Sequence, residues 1–272
     1  FFWRGVGRLD ALVGAPLGRL FFRLERWVLG GLDDVHQTGL RDPEEDYLAL
    51  LPVLGCFLLV LAVPDPALWR LTYADRDLPA AEKRRLMAAY RRFVQRHLYF
   101  HGEHRTFLSK NPSFTPFMAT LADAFPDARF IGCLRNPTAA VPSQINSIVI
   151  GGKLFDGRDT ADYWREGFLA MLDYYYRHLL DQLDGLPEGR GALSVMETLA
   201  AAPGESVSGF YRTFGWTPSP AYRAFLDGED RRAAGYRSGH RYSLENLGVD
   251  PGRLAATFGW VYDRFGYPRP GD

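Results

Sequence analysis

The sequence predicts a helix-rich α/β fold built around a parallel sheet. Three short apolar runs read as strands: Thr106–Ser109, Arg129–Leu134 and Gly191–Met196. Helical stretches separate them, and the links are short. Strand, helix, strand, helix, strand in that order is the pattern of a parallel sheet with helices on its faces. Such a sheet places its ligand beyond the carboxyl ends of its strands, so the residues that follow each run are where chemistry is expected.

The elements follow in chain order. Residues 1–30 carry Leu9, Leu12, Leu17, Leu20, Phe21, Leu24, Trp27 and Val28 at helical spacing, and Gly30-Gly31 ends the pattern. Asp42-Pro43-Glu44-Glu45-Asp46 reads as a helix start, with Asp42 as N-cap, Pro43 at the first position and acids in the first turn. The longest apolar run, Leu48–Val63, contains Pro52 and Gly55. It falls short of the roughly 20 residues of a bilayer span, so it reads as a buried core helix, with peripheral membrane contact as the alternative. Residues 80–100 form a basic amphipathic helix whose charges read as a solvated face. Helices are expected over 113–125, 136–150, 160–184, 204–215 and 251–265, with Pro142 tolerated near the first turn of its helix. The whole reads as one domain: a mainly helical region at 1–105, a parallel-sheet core at 106–200 and a helical C-terminal region at 201–272.

Composition narrows the function. The 272 residues hold 32 Lys plus Arg and 32 Asp plus Glu, a balance that argues against a nucleic-acid binder. Two cysteines, Cys56 and Cys133, cannot form a disulfide framework. With no signal-peptide pattern at the N-terminus, the expectation is a reducing, cytoplasmic setting. Only Lys83, Lys110 and Lys153 are lysines, so each invites inspection.

Lys110 follows the first strand run directly, where an ammonium suits a phosphate or sulfate oxygen. The competing reading is a solvated strand-end lysine. Arg135 follows the second run, Asn136-Pro137 opens the next helix, and Ser143 lies eight residues after Arg135. A guanidinium, a hydroxyl and the positive end of a helix together make an anion pocket. The competing reading is an ordinary strand-to-helix turn. His97, His101 and His104 invite a metal reading, but Gly102 breaks their periodicity and no thiolate or carboxylate cluster joins them, so no metal is expected.

Together Leu108-Ser-Lys-Asn-Pro-Ser113, Phe125-Pro-Asp-Ala-Arg-Phe-Ile131, Leu134-Arg-Asn-Pro137 and Ser143 resemble the core of sulfotransferases that use 3′-phosphoadenosine 5′-phosphosulfate (PAPS). His36-Gln-Thr-Gly-Leu40 with the acids after it, and Ser238-Gly-His-Arg-Tyr-Ser-Leu-Glu245, resemble flanking segments of a bacterial branch. The resemblance implies a P-loop-NTPase-like sheet and PAPS as cosubstrate without a metal. It implies Lys110 beside the transferred sulfuryl group and Arg135 with Ser143 on the 3′-phosphate. It also implies a loop bearing Arg237, His240 and Tyr242 over the nucleotide. The acceptor would be a small molecule, glycan or lipid.

Three departures qualify the resemblance. The family's Gly-rich 5′-phosphosulfate loop has no counterpart, so the sheet is expected to lack its first strand and the chain to be an N-terminally truncated form, inactive alone. Asn111 and Pro112 stand where many members place a histidine base. Met196-Glu197-Thr198-Leu199 replaces a Tyr-Glu-Asp-Leu segment. The base is therefore sought among Glu45, first, then Glu44, Asp46 and His36. The rival reading is a non-catalytic α/β nucleotide-binding or interaction module. A kinase is a weaker third, since neither a Gly-rich Lys-Ser/Thr loop nor a paired metal-binding Asp motif occurs.

Overall fold

The computed structural model describes residues 15–29, 45–63, 65–156, 161–234 and 248–271, together with residues 10, 12, 13 and 244. The chain forms two compact units, Phe1–Asp46 and Tyr47–Asp272. In the first, helix α1 spans Pro16–Leu29, in keeping with the helical spacing there. Its start is secured by Asp10, whose carboxylate accepts from the Leu17 and Gly18 N–H groups, each at 2.7 Å. That is an N-terminal cap with the charge the helix dipole favours.

In the second unit the described sheet is a parallel pair, β1 (Phe130–Leu134) and β2 (Gly191–Val195), in register from Phe130 opposite Gly191 to Leu134 opposite Val195. Both were legible as strands. The third expected strand, Thr106–Ser109, is not one: these residues have no ladder partner among the described residues. Leu108 is 89% exposed, so the run lacks the packed surface that turns β-type residues into a strand.

Leu48–Val63 is also not the single buried helix expected. A 3-10 helix covers Asp46–Val53, Leu54 turns the chain at φ 55°, and α2 (Leu58–Ala62) resumes. Pro52 cannot extend a regular helix. Gly55 is pressed so close to Leu86 that a Cβ would stand 2.4 Å from its Cδ2. Leu50, Cys56, Val60 and Leu61 enter the core, while Leu48, Leu51, Leu54 and Val63 stay exposed. A second 3-10 helix (Pro66–Tyr73) and α3 (Ala74–Asp77) lead into α4 (Ala80–His101), which buries Leu86, Met87 and Tyr90 and exposes its arginines as expected.

A 3-10 turn over Pro112–Phe117 precedes α5 (Met118–Ala124), so the 113–125 stretch is helical in two pieces. Between the strands run α6 (Pro137–Asp156) and α7 (Ala161–Gly185). In α6, Pro142 stands at the sixth residue, beyond the first turn, and leaves the Thr138 carbonyl without its helical donor. After β2 come α8 (Met196–Ala201), α9 (Pro203–Thr213), α10 (Pro220–Ala233) and α11 (Pro251–Phe265).

The core gathers Val60, Leu86, Val141, Ile145, Phe168, Leu254, Phe258, Val261 and Tyr262, all essentially inaccessible. Gly132 lets α7 lie directly on β1, since a Cβ there would meet Leu183 at 2.6 Å and Leu179 at 3.0 Å. Arg190, just before β2, donates to the carbonyls of Ala128 and Phe125 at 3.1 Å each and ties the entry of β1 to the end of α5. Asp75 on α3 accepts from the Ala119 and Thr120 N–H groups that open α5 (2.8 and 3.2 Å), from the Thr120 hydroxyl, and meets His178 Nε2 on α7 at 2.9 Å. One carboxylate thus joins three helices.

Candidate active site

The site is built at the carboxyl end of β1. Arg135 follows the strand directly and its side chain is exposed. Its backbone is held: the Tyr176 hydroxyl, from α7, donates to the Arg135 carbonyl at 2.6 Å. Burial pushes the Tyr176 phenol well above its ordinary value, so it stays a donor at neutral pH. Asn136 caps α6, its side-chain carbonyl accepting the Thr138 N–H at 2.9 Å. Pro137 takes the first helical position, where a missing N–H costs nothing.

A carboxylate sits behind this turn. Glu197, at the start of α8, accepts from the Asn136 N–H at 3.2 Å and from the Tyr267 hydroxyl at 2.9 Å. Desolvation first, then the neighbouring Glu197 charge, raises the Tyr267 phenol. The Thr138 and Tyr262 hydroxyls also meet, at 2.9 Å. The turn from β1 into α6 is therefore clamped from α7, α8, α11 and the C-terminal segment. Ser143, half-buried, lies two turns into α6, roughly 9 Å along its axis from Pro137.

Lys110 is exposed. Partial desolvation raises the Cys133 thiol of β1, and the Lys110 ammonium acts against that rise. The charge of Lys110 therefore reaches β1 two residues before Arg135. Asn111 beside it caps the 3-10 turn: its side-chain carbonyl accepts the Ser113 N–H at 3.0 Å. The residue standing where relatives place a histidine base thus has a local structural task.

A cleft of about 250 Å³ lined by His97, His101, Arg105, Phe107 and Leu108 opens on this side. Its last lining residue is two positions before Lys110, so the two Cα atoms are at most about 7 Å apart. The His97 and His101 rings lie 4.4 Å apart between centroids. Among the described residues no group of three or more His, Cys, Asp or Glu could hold a metal ion.

Of the expected base candidates, Glu45 and Asp46 are described and close the first unit, with Asp46 opening the 3-10 helix. Glu44 and His36 lie outside the described residues, as do Arg237, His240 and Tyr242. Sequence reasoning missed Tyr176, Glu197 and Tyr267. Tyr176 carries no local signal, being one of three consecutive tyrosines on a long helix. Glu197 was within reach, since it is the acid shared with the relatives' Tyr-Glu-Asp-Leu segment.

Sulfotransferase STF9 from Mycobacterium avium, known from a crystal structure, superimposes with a TM-score of 0.68 over 92% of this chain and 67% of its own, at 17% identity. At that identity the likeness speaks for the fold: a P-loop-like α/β sheet wrapped in helices. No curated protein matches the sequence. The sequence model of the sulfotransferase family matches residues 62–217, more than half of the chain and the whole of the stretch from Lys110 through Arg135 and Ser143 to Glu197. The chain belongs to the sulfotransferase family.

Proposed function

We propose that this protein transfers a sulfuryl group from PAPS to a hydroxyl or amine of a small-molecule, glycan or lipid acceptor. The observation that supports the reading is that Lys110 acts electrostatically on Cys133 of β1, the strand that Arg135 follows directly in the sequence. An anion with charge at two points suits two such cations, and the capped start of α6 adds backbone N–H groups and a positive dipole end.

In this reading Arg135 and Ser143 hold the 3′-phosphate. Lys110 neutralises the charge that grows on the bridging oxygen as the sulfur–oxygen bond to the nucleotide breaks. The new bond forms between sulfur and the acceptor oxygen or nitrogen. The acceptor's proton passes to a base, for which Glu45 is the first choice, ahead of Glu44, Asp46 and His36. Such catalysis is largely positioning and electrostatics. The acceptor enters by the cleft beside Leu108. The loop with Arg237, His240 and Tyr242 covers the nucleotide. Two free cysteines, Cys56 and Cys133, accord with a cytoplasmic setting. Among the described residues no Gly-rich phosphate turn flanks β1, so these residues account for the 3′ and sulfuryl sides of the donor.

Calorimetry with adenosine 3′,5′-bisphosphate and 5′-AMP tests the reading without requiring turnover. The bisphosphate should bind more tightly, and Arg135→Ala should erase the difference. Each charge-assisted bond lost costs roughly 1.5–3 kcal/mol. Equal affinity for the two nucleotides in the unsubstituted protein would overturn the assignment.

A further inference from the structure

The first unit presents a surface that the sulfuryl-transfer reading does not use. Helix α1 has fourteen residues, among them three arginines and one glutamate. Leu17, Leu20 and Leu24 are 45%, 53% and 47% exposed. At 100° per residue they fall within an arc of about 60° on one face of the helix. Leu12 and Val13, just ahead of the helix, are exposed as well. Arg19 and Arg23 are exposed. They lie roughly 130° and 90° round from the centre of the leucine arc.

We propose that α1 docks on the surface of an anionic lipid bilayer, with its leucine stripe in the boundary between headgroups and acyl chains and its arginines on the lipid phosphates. A stripe of leucines bordered along one side by long cationic side chains matches that boundary: the apolar face leaves water while the guanidinium groups reach the headgroups. The helix lies on the membrane and does not cross it. At about 21 Å it is shorter than the roughly 30 Å hydrocarbon core, and no helix among the described residues is long and apolar enough to span. The Asp10 cap, two N–H bonds at 2.7 Å, holds the first turn in place, so the apolar stripe is arranged before it meets lipid. Pairing of two copies through the same stripe is disfavoured by charge, because Arg23 of each helix would flank the seam with one glutamate per helix to offset three arginines.

Flotation of the full chain with vesicles tests the proposal. Vesicles of phosphatidylcholine mixed with phosphatidylglycerol should capture the protein at least tenfold better than phosphatidylcholine alone, and added salt should weaken capture. Leu20→Asp should abolish it with the circular dichroism spectrum unchanged. Arg19→Glu with Arg23→Glu, which leaves the apolar face intact, should reduce capture by about fivefold or more per residue. Failure of the unsubstituted protein to float with anionic vesicles overturns the proposal, as does capture indifferent to both variants. Gel filtration separates the remaining occupant: if Leu20→Asp converts a dimer to a monomer and vesicles capture neither form, the stripe belongs to a second copy.

Discussion

Tyr176 donates its hydroxyl to the Arg135 carbonyl at 2.6 Å, across 41 residues of sequence. The bond passes from the middle of α7 to the end of β1, and so fixes where the strand stops and where the Arg135 side chain begins. Tyr176→Phe should lower stability by about 1 kcal/mol in urea unfolding. It should also weaken bisphosphate binding by severalfold while leaving Arg135 present, since the guanidinium would start from a looser backbone.

Lys110 and Cys133 offer an independent check on the site. Lys110→Met removes the charge that opposes the rise in the Cys133 thiol. The thiol's titration should move further up, and its alkylation at a given pH should slow, because the thiolate is the nucleophile. In a form of the protein that turns over, the same variant should cut sulfuryl turnover by roughly 10²–10³, the scale for losing one preorganised group at a developing charge. Alkylation unchanged across the full pH profile would separate Lys110 from β1.

In a form of the protein that turns over, Glu45→Gln should depress kcat by about 100-fold or more if Glu45 takes the acceptor's proton. His36→Asn is the companion measurement. If neither variant slows turnover beyond tenfold, the base belongs to another residue, and the imidazoles of the cleft beside Leu108 are the next to replace.

Asp75 sets a pH limit on stability. Burial alone would raise its carboxyl, but bonds from His178, Thr120 and the Ala119 N–H overcome this and hold it below its ordinary value near 3.8. A carboxyl depressed in the folded state contributes stability that is complete above the unfolded pKa and is lost as pH falls through the folded one. Unfolding free energy should therefore be insensitive to Asp75 above about pH 5 and fall as the solution is acidified below pH 4. Asp75→Ala should remove about 3 kcal/mol or more and flatten that acid limb, because it strips the N-terminus of α5 of its cap and leaves His178 without its partner.

Gly132→Ala should destabilise by roughly 1–3 kcal/mol in thermal unfolding, the usual scale for overpacking. The added methyl would meet Leu183 at 2.6 Å and push α7 from β1. Because α7 carries Tyr176, the same change should weaken bisphosphate binding.

Much was legible in the sequence because it is local. The strands at 130–134 and 191–195 and the long helices between and after them follow from apolar periodicity and turn chemistry over a few residues. Asn136-Pro137 announces the start of α6 for the same reason. The resemblance carried by Lys110, Arg135 and Ser143 pointed to the family that the sequence model then matched over residues 62–217.

Tertiary structure alone decided the rest. Thr106–Ser109 has the residues of a strand, but a strand needs a partner, and pairing is a long-range fact. Leu48–Val63 has the apolarity of a core helix, but Leu54 at φ 55° and Gly55 against Leu86 break it, because packing on α4 outweighed local propensity. Tyr176 and Glu197 reach the Arg135–Thr138 turn over separations of 41 and 61 residues, and Tyr267 reaches Glu197 over a further 70. A hydroxyl or carboxylate takes whichever partner the packed helices bring to it. Periodicity along the chain holds no record of that meeting.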